Sequence, residues 1–223
     1  FLPRDIEDIS CGGSVANGTA FYLALSSSGT VYSWGDNGYG KLGRQGDDEC
    51  ETPKVVDKLQ GMRVVQIHCG GDFCLVICDN GTIYTWGRAN HFRLGYSIPE
   101  DYNPYPKNVE TLLGRRISNA WIGYSHVIVL TECNKILAWG SNESGQLGCH
   151  LPSVLCVPTT LDIPDMEDFG GLTTAQSNTL FWHKATKSPS KQSHVSREIP
   201  FVLDIVEDTF SLIDQLLSEV WDD

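Results

Sequence analysis

The sequence predicts an all-β fold, a partial β-propeller of about three to four blades, on three observations. The pentapeptide VYSWG at 31–35 returns as IYTWG at 83–87 and as ILAWG at 136–140, so Trp34, Trp86 and Trp139 stand 52 and 53 residues apart. Sixteen residues before each tryptophan lies a glycine (Gly18, Gly70, Gly123), followed by an apolar run: FYLAL, FCLVI and HVIVL. Each period also holds short extended segments separated by turn residues, with no helical periodicity until the C-terminal end. Small antiparallel sheets repeated at this interval are how a chain builds propeller blades.

The second unit shows the elements in order. RVVQIHCG (63–70) alternates, FCLVIC (73–78) is apolar throughout, and the turn DNGT leads into IYTWG. A proline-bearing loop then leads to a fourth extended segment, YPKNVETLL. The units fall at about 5–56, 57–110 and 111–164, and a fourth starts within 165–183, where FGGLTTAQSNTLFWHK begins the pattern and then loses it. Residues 1–183 form the repeat domain. Residues 184–203 read as a Ser/Lys-rich linker. In 204–223, Phe210, Ile213, Leu216, Leu217, Val220 and Trp221 recur at helical spacing, predicting an acidic amphipathic helix. Docking on its own domain is its first expected role, and a partner's groove the second.

GYGKLG at 38–43 spells G-x-G-x-x-G after a strand, the spacing of a dinucleotide-binding loop. That reading needs a helix opening on the glycines, but the polar, turn-rich RQGDDECETP follows. In the second copy, Asn90 and Phe92 hold the places of Gly38 and Gly40. The stretch therefore reads as a structural turn whose first two glycines are dispensable, and no cofactor is expected. Trp34-Gly35, Trp86-Gly87 and Trp139-Gly140 close the third strands. Leu42-Gly43, Leu94-Gly95 and Leu147-Gly148 pin the loops to the core.

The net charge of −12 is uneven: 204–223 carries seven acidic residues and no basic one. No Lys/Arg block serves a phosphate backbone, so nucleic acid is not an expected partner. No apolar run approaches the roughly 18 residues of a membrane span, so no membrane is expected either. The eight cysteines include no C-x-x-C pair, and Cys149-His150 has no ligand spacing around it, so no metal is expected. The cysteines read as small buried thiols of a reducing compartment, with Cys74 and Cys78 on one strand face beside Val76. The N-x-[S/T] matches at Asn17, Asn80 and Asn142 are read as incidental, Asn80 lying in a hairpin turn.

YSWGDNGYGKLG…P and LAWGSNESGQLG…P, each preceded by a Gly turn and a strand, resemble regulator-of-chromosome-condensation repeats. VYSWGDNGYGKLGRQGDDECETPKVVDKL and IYTWGRANHFRLG are most similar to a repeat domain of the giant HERC ubiquitin ligases. The resemblance covers about residues 5–183. It implies part of a seven-bladed propeller, and since a closed ring needs about twice this repeat length, the chain is expected to be an excerpt of a longer protein. It also implies a setting of ubiquitin transfer, with the chemistry on a HECT domain that nothing here resembles. The expected function is therefore a protein–protein interaction module recruiting substrates or partners, in the cytoplasm with the nucleus as a second location. No catalytic residue is expected.

The second reading is guanine-nucleotide exchange on a small GTPase, as in the founding family member. There, the face carrying G-x-x-H turns helps to engage the GTPase. Gly123-Tyr124-Ser125-His126 fits that turn, but Phe73 and Phe21 hold the equivalent places, and His126 alone reads as a packed or hydrogen-bonded blade histidine. An enzyme using the central cleft is a third reading, and no recurring acids or metal ligands support it. The expected partner face is the loops after the tryptophans and before the prolines: Asp36, Asn37, Arg88, Asn90, His91 and Arg93, joined by Tyr102 and Tyr105.

Overall fold

The chain is described from a computed structural model over residues 3–13, 17–44, 49–163, 169–175 and 177–183. The linker and acidic helix expected at 184–203 and 204–223 lie outside the described residues. Three antiparallel four-stranded meanders form the blades. The first runs β1 (Ile6–Gly12), β2 (Phe21–Ser26), β3 (Val31–Asp36) and β4 (Glu49–Val55). The second runs β5 (Val64–Cys69), β6 (Phe73–Cys78), β7 (Ile83–Arg88) and β8 (Tyr102–Asn108). The third runs β9 (Ile117–Ile122), β10 (His126–Thr131), β11 (Ile136–Ser141) and β12 (Val154–Thr160). A two-stranded piece of a fourth follows, β13 (Phe169–Ala175) and β14 (Asn178–His183). The first strands β1, β5, β9 and β13 neighbour one another in turn, as the inner strands of successive blades do.

Strand composition follows from this stacking. β6 lies inside its sheet with a blade on each side, so all of FCLVIC is buried and no polar face is needed. In the first two blades, the loop between the third and fourth strands folds back and is locked to its own blade and to the next. Leu42 and Leu94 are fully buried, and their carbonyls accept from Ser33 Oγ and Thr85 Oγ1, each at 2.7 Å. Ala138 stands at that strand position in the third blade, which lacks the hydroxyl. One residue earlier, the carbonyls of Lys41 and Arg93 accept from the next blade's indole: Trp86 Nε1 and Trp139 Nε1, each at 2.9 Å. Both tryptophans are buried, whereas Trp34 is half-buried and stacks on Tyr22 at 5.3 Å between ring centroids.

The Leu-Gly glycines are required by that junction. Gly43 has φ +73° and Gly95 φ +81°, and a Cβ on either would fall 3.0 or 3.1 Å from the indole nitrogen of Trp86 or Trp139. No helix opens on GYGKLG: Gly38–Gly40 is a single 3-10 turn, with Gly40 N–H donating to Asn37 and Gly43 N–H to Gly40. The expectation that Gly40 is dispensable is corrected. It has φ +68°, and a Cβ there would lie 2.4 Å from Pro104 of the next blade. Phe92 keeps the left-handed conformation in the second copy, at φ +57°.

Two further expectations change. The fourth extended segment of the second unit is not YPKNVETLL, since β8 ends at Asn108 and Glu110–Leu112 forms a 3-10 turn. Leu112 drives the bend by burying its side chain, as Leu59 does in the first blade. The cysteines are not uniformly buried: Cys50, Cys74 and Cys78 are, but Cys11, Cys133, Cys149 and Cys156 are exposed.

Trp86→Ala and Trp139→Ala each remove a fully buried indole and its hydrogen bond, so each should cost about 3–5 kcal/mol. Trp34→Ala should cost clearly less, because Trp34 is half-buried and makes no such bond among the described residues. Urea unfolding of the three variants measures the difference.

Candidate functional site

The blade geometry gathers polar side chains where the post-tryptophan loops meet the turns between first and second strands. The residue after each Trp-Gly pair donates its N–H across the blade at 2.9 Å: Asp36 to Ala20, Arg88 to Asp72 and Ser141 to Ser125. These bonds make Ala20, Asp72 and Ser125 equivalent, and likewise Asp36, Arg88 and Ser141. Lys41 and Arg93 are equivalent through the indole bonds.

At the junction of the first and second blades, Lys41 is only 1% exposed. Its Nζ lies 2.7 Å from Asp36 and 3.0 Å from Asp72, donates to the Thr19 carbonyl, and sits 5.2 Å from the Phe21 ring centroid. Arg88 Nη1 reaches Asp72 at 3.2 Å while its guanidinium lies over Tyr39 at 4.6 Å. At the next junction Arg93, 2% exposed, donates from Nε to the Asn90 carbonyl at 2.9 Å and from Nη1 to the Tyr124 carbonyl at 3.4 Å. Phe73 and Tyr124 flank its guanidinium at 5.8 and 5.9 Å. Burial, then the neighbouring charge of Arg88, lowers its pKa to about 10.

The structure sorts the residues expected at a partner face. Asp36 and Arg88 come together around Lys41 and Asp72, while Arg93, at the next junction, is corrected from a loop surface residue to a buried one, because its chain extends under the next blade's turn. Asn37 works within its loop, where Oδ1 accepts from Leu42 N–H at 3.0 Å; Asn142 does the same for Leu147 at 2.7 Å and is buried. Asn90 and His91 are exposed on the second loop, His91 in the left-handed region at φ +59°. Tyr102 and Tyr105 are corrected from loop to outer strand β8. Tyr102 is the register partner of Arg88, and Tyr105 lies half-buried beneath Lys58 at 5.6 Å. The sequence reading missed Tyr39, Lys41, Asp72 and Tyr124. Setting Lys41 against Arg93, and Asp72 against Ser125, would have found the charged pair.

His126 is fully buried, its ring packed on Gly123 with Nε2 3.2 Å from Thr179 Oγ1. Burial depresses its pKa to about 4, and Nδ1 has no partner among the described residues, which suits a neutral ring. Among the described residues no three His, Cys, Asp or Glu side chains converge on a common point. The chemistry this site offers is recognition: aromatic faces, arginine donors and a fixed pattern of charge.

Blades of this build define a class of repeat propeller. Models of the regulator of chromosome condensation repeat match residues 28–77 and 80–130, and in a second form 6–41, 64–93 and 122–146. The chain belongs to that family. It is similar to the E3 ubiquitin-protein ligase HERC2 of Mus musculus, at 35% identity over 215 residues, covering 96% of this chain and 4% of the relative. The chain thus spans a small fraction of that protein's length. Two solved propellers share the fold. Human WBSCR16 matches with TM-score 0.68 at 22% identity, over 81% of this chain and 45% of that one. Prp20p of Saccharomyces cerevisiae, described for its binding to Gsp1p and histones, matches with TM-score 0.59 at 22% identity, over 82% and 56%.

Asp72→Asn leaves Lys41 buried with one carboxylate in place of two and should cost about 1–3 kcal/mol. Glu132→Gln breaks an exposed pair with Arg116 and should cost under about 1 kcal/mol. Chemical denaturation separates the two. His126 has a folded pKa below its unfolded value, so the stability tied to its neutral ring is complete above about pH 6.5 and drains away toward pH 4. Between pH 7 and pH 5 the loss should be on the order of 2 kcal/mol. His126→Phe, which installs the side chain found at positions 21 and 73, should flatten that slope in paired urea titrations.

Proposed function

We propose that the chain is a protein-recruitment module of a HERC-like E3 ubiquitin ligase, positioning a substrate or partner for transfer by a HECT domain elsewhere in the parent protein. The observation that carries this reading is a polar face rich in interface residue types. Tyr39 and Tyr102 beside Arg88, and Tyr124 beside Arg93, are 42%, 45% and 47% exposed, on loops and an edge strand held by rigid blades. The similarity to HERC2 supports the ubiquitin setting; the location proposed for the module is the cytoplasm, with the nucleus second.

The second reading is binding to, or nucleotide exchange on, a small GTPase. It draws on the fold shared with Prp20p. Against it, the one histidine that fits the G-x-x-H turn is fully buried and its ring cannot meet a partner.

A photo-crosslinking residue at position 39 or 124 of the intact parent ligase, and one at Leu113 as control, tests the recruitment reading. Discrete adducts are expected from 39 and 124 and not from 113. The trapped protein should lose its ubiquitin conjugates when residues 1–183 are deleted from the parent. Equal trapping at all three sites, or more than about tenfold acceleration of GDP release from a small GTPase, equivalent to about 1.4 kcal/mol in the barrier, would overturn it.

A further inference from the structure

The repeat supplies its own comparison. At the first junction the buried cation Lys41 meets a carboxylate from its own blade, Asp36, and one from the next, Asp72. At the second junction the cation is Arg93. The place of Asp36 is taken by Arg88, and the place of Asp72 by Ser125. Both carboxylates are gone, and one has become a second cation.

Among the described residues Arg93 hydrogen-bonds only neutral carbonyls, and the Asp72 carboxylate acts on it without bonding it. Arg88 bonds Asp72 of its own blade, the carboxylate that Lys41 reaches from across the first junction. Among the described residues two carboxylates therefore serve three cations, leaving a local excess of positive charge on a chain whose net charge is −12. A buried charge without a bonded counter-charge is costly, and a carboxylate brought by a ligand or partner would offset that cost. Access exists. The Arg88 side chain is 30% exposed, spends one N–H on Asp72 and keeps other donors of a rigid fork. Tyr39 and Tyr124 stand exposed beside the two guanidiniums.

The geometry points to a carboxylate-recognition site at the junction of the second and third blades: an aspartate or glutamate of a partner protein bonds the Arg88 guanidinium and offsets the charge it shares with Arg93. The apolar neighbours of that carboxylate lie on the rings of Tyr39 and Tyr124. This inference rests on the recruitment reading and deepens it, naming an acidic segment with interspersed apolar residues as the chemistry recruited. Arg93 acts from behind, as a charge with no carboxylate bonded to it among the described residues, and Arg88 makes the contact.

The test uses the 223-residue chain and two fluorescein-labelled capped peptides, Glu-Leu-Glu-Leu-Glu and Gln-Leu-Gln-Leu-Gln, followed by anisotropy at low salt. The glutamate peptide is expected to bind at least about tenfold more tightly, the scale of a charge-assisted bond. Arg88→Gln should abolish that preference. Ser125→Asp, which supplies the missing carboxylate from within, should also abolish it while leaving the melting temperature unchanged or higher, which shows the loss is not unfolding. Equal binding of both peptides, or a preference that survives in both variants, overturns the inference. Crosslinked partner retained by Arg88→Gln in the parent ligase overturns it while leaving recruitment standing. Loss of every adduct with the glutamate preference intact would overturn the recruitment reading instead.

Discussion

One interaction organises the molecule: the indole N–H of each buried blade tryptophan donates to the carbonyl just before the Leu-Gly pair of the preceding blade. It satisfies a donor that a buried indole cannot leave unpaired, and it fixes where the preceding loop ends. The leucine beside that carbonyl fills the core, and the following glycine turns away because the indole occupies the space a Cβ would need. Fold and site are joined at this point, because the residue whose carbonyl is captured, Lys41 or Arg93, has its side chain delivered into the blade junction.

Electrostatics then decides what each junction is for. A charge pair at 3 Å in a medium of effective dielectric near 20 attracts by about 5 kcal/mol, against a desolvation cost of several kcal/mol per buried ion. The Lys41 cluster is therefore close to balanced in stability, and its carboxylates serve mainly to hold a buried cation in place. The second junction has the same scaffold without the balance. The difference arises from two positions, 88 and 125, whose backbone atoms make the bonds that recur in every blade, so that the scaffold leaves their side chains free to differ.

The blades were legible because their marks are periodic: Trp-Gly, Leu-Gly and the apolar central strands obey geometric demands that repeat every blade. The fourth strand of the second unit was less so, because Val109 and Leu112 continue an apolar pattern while the backbone bends into a 3-10 turn to bury Leu112. The site was half legible. Asp36 and Arg88 stood out as polar residues on loops, but polarity alone cannot distinguish Arg93, which runs beneath the next blade, from an exposed arginine. Lys41 and Asp72 are 31 residues apart in sequence and meet only because blades stack. Tyr39 and Tyr124 became visible as surface aromatics only once the turns were placed.

Hydrogen exchange of the tryptophan indole protons, followed by NMR in heavy water, addresses the central claim most directly. If the indole-to-carbonyl bond couples the blades, Trp86 and Trp139 Nε1–H should exchange only through global unfolding, orders of magnitude more slowly than Trp34 Nε1–H. Exchange of all three at one rate, or rapid exchange at Trp86 in the folded protein, would contradict it.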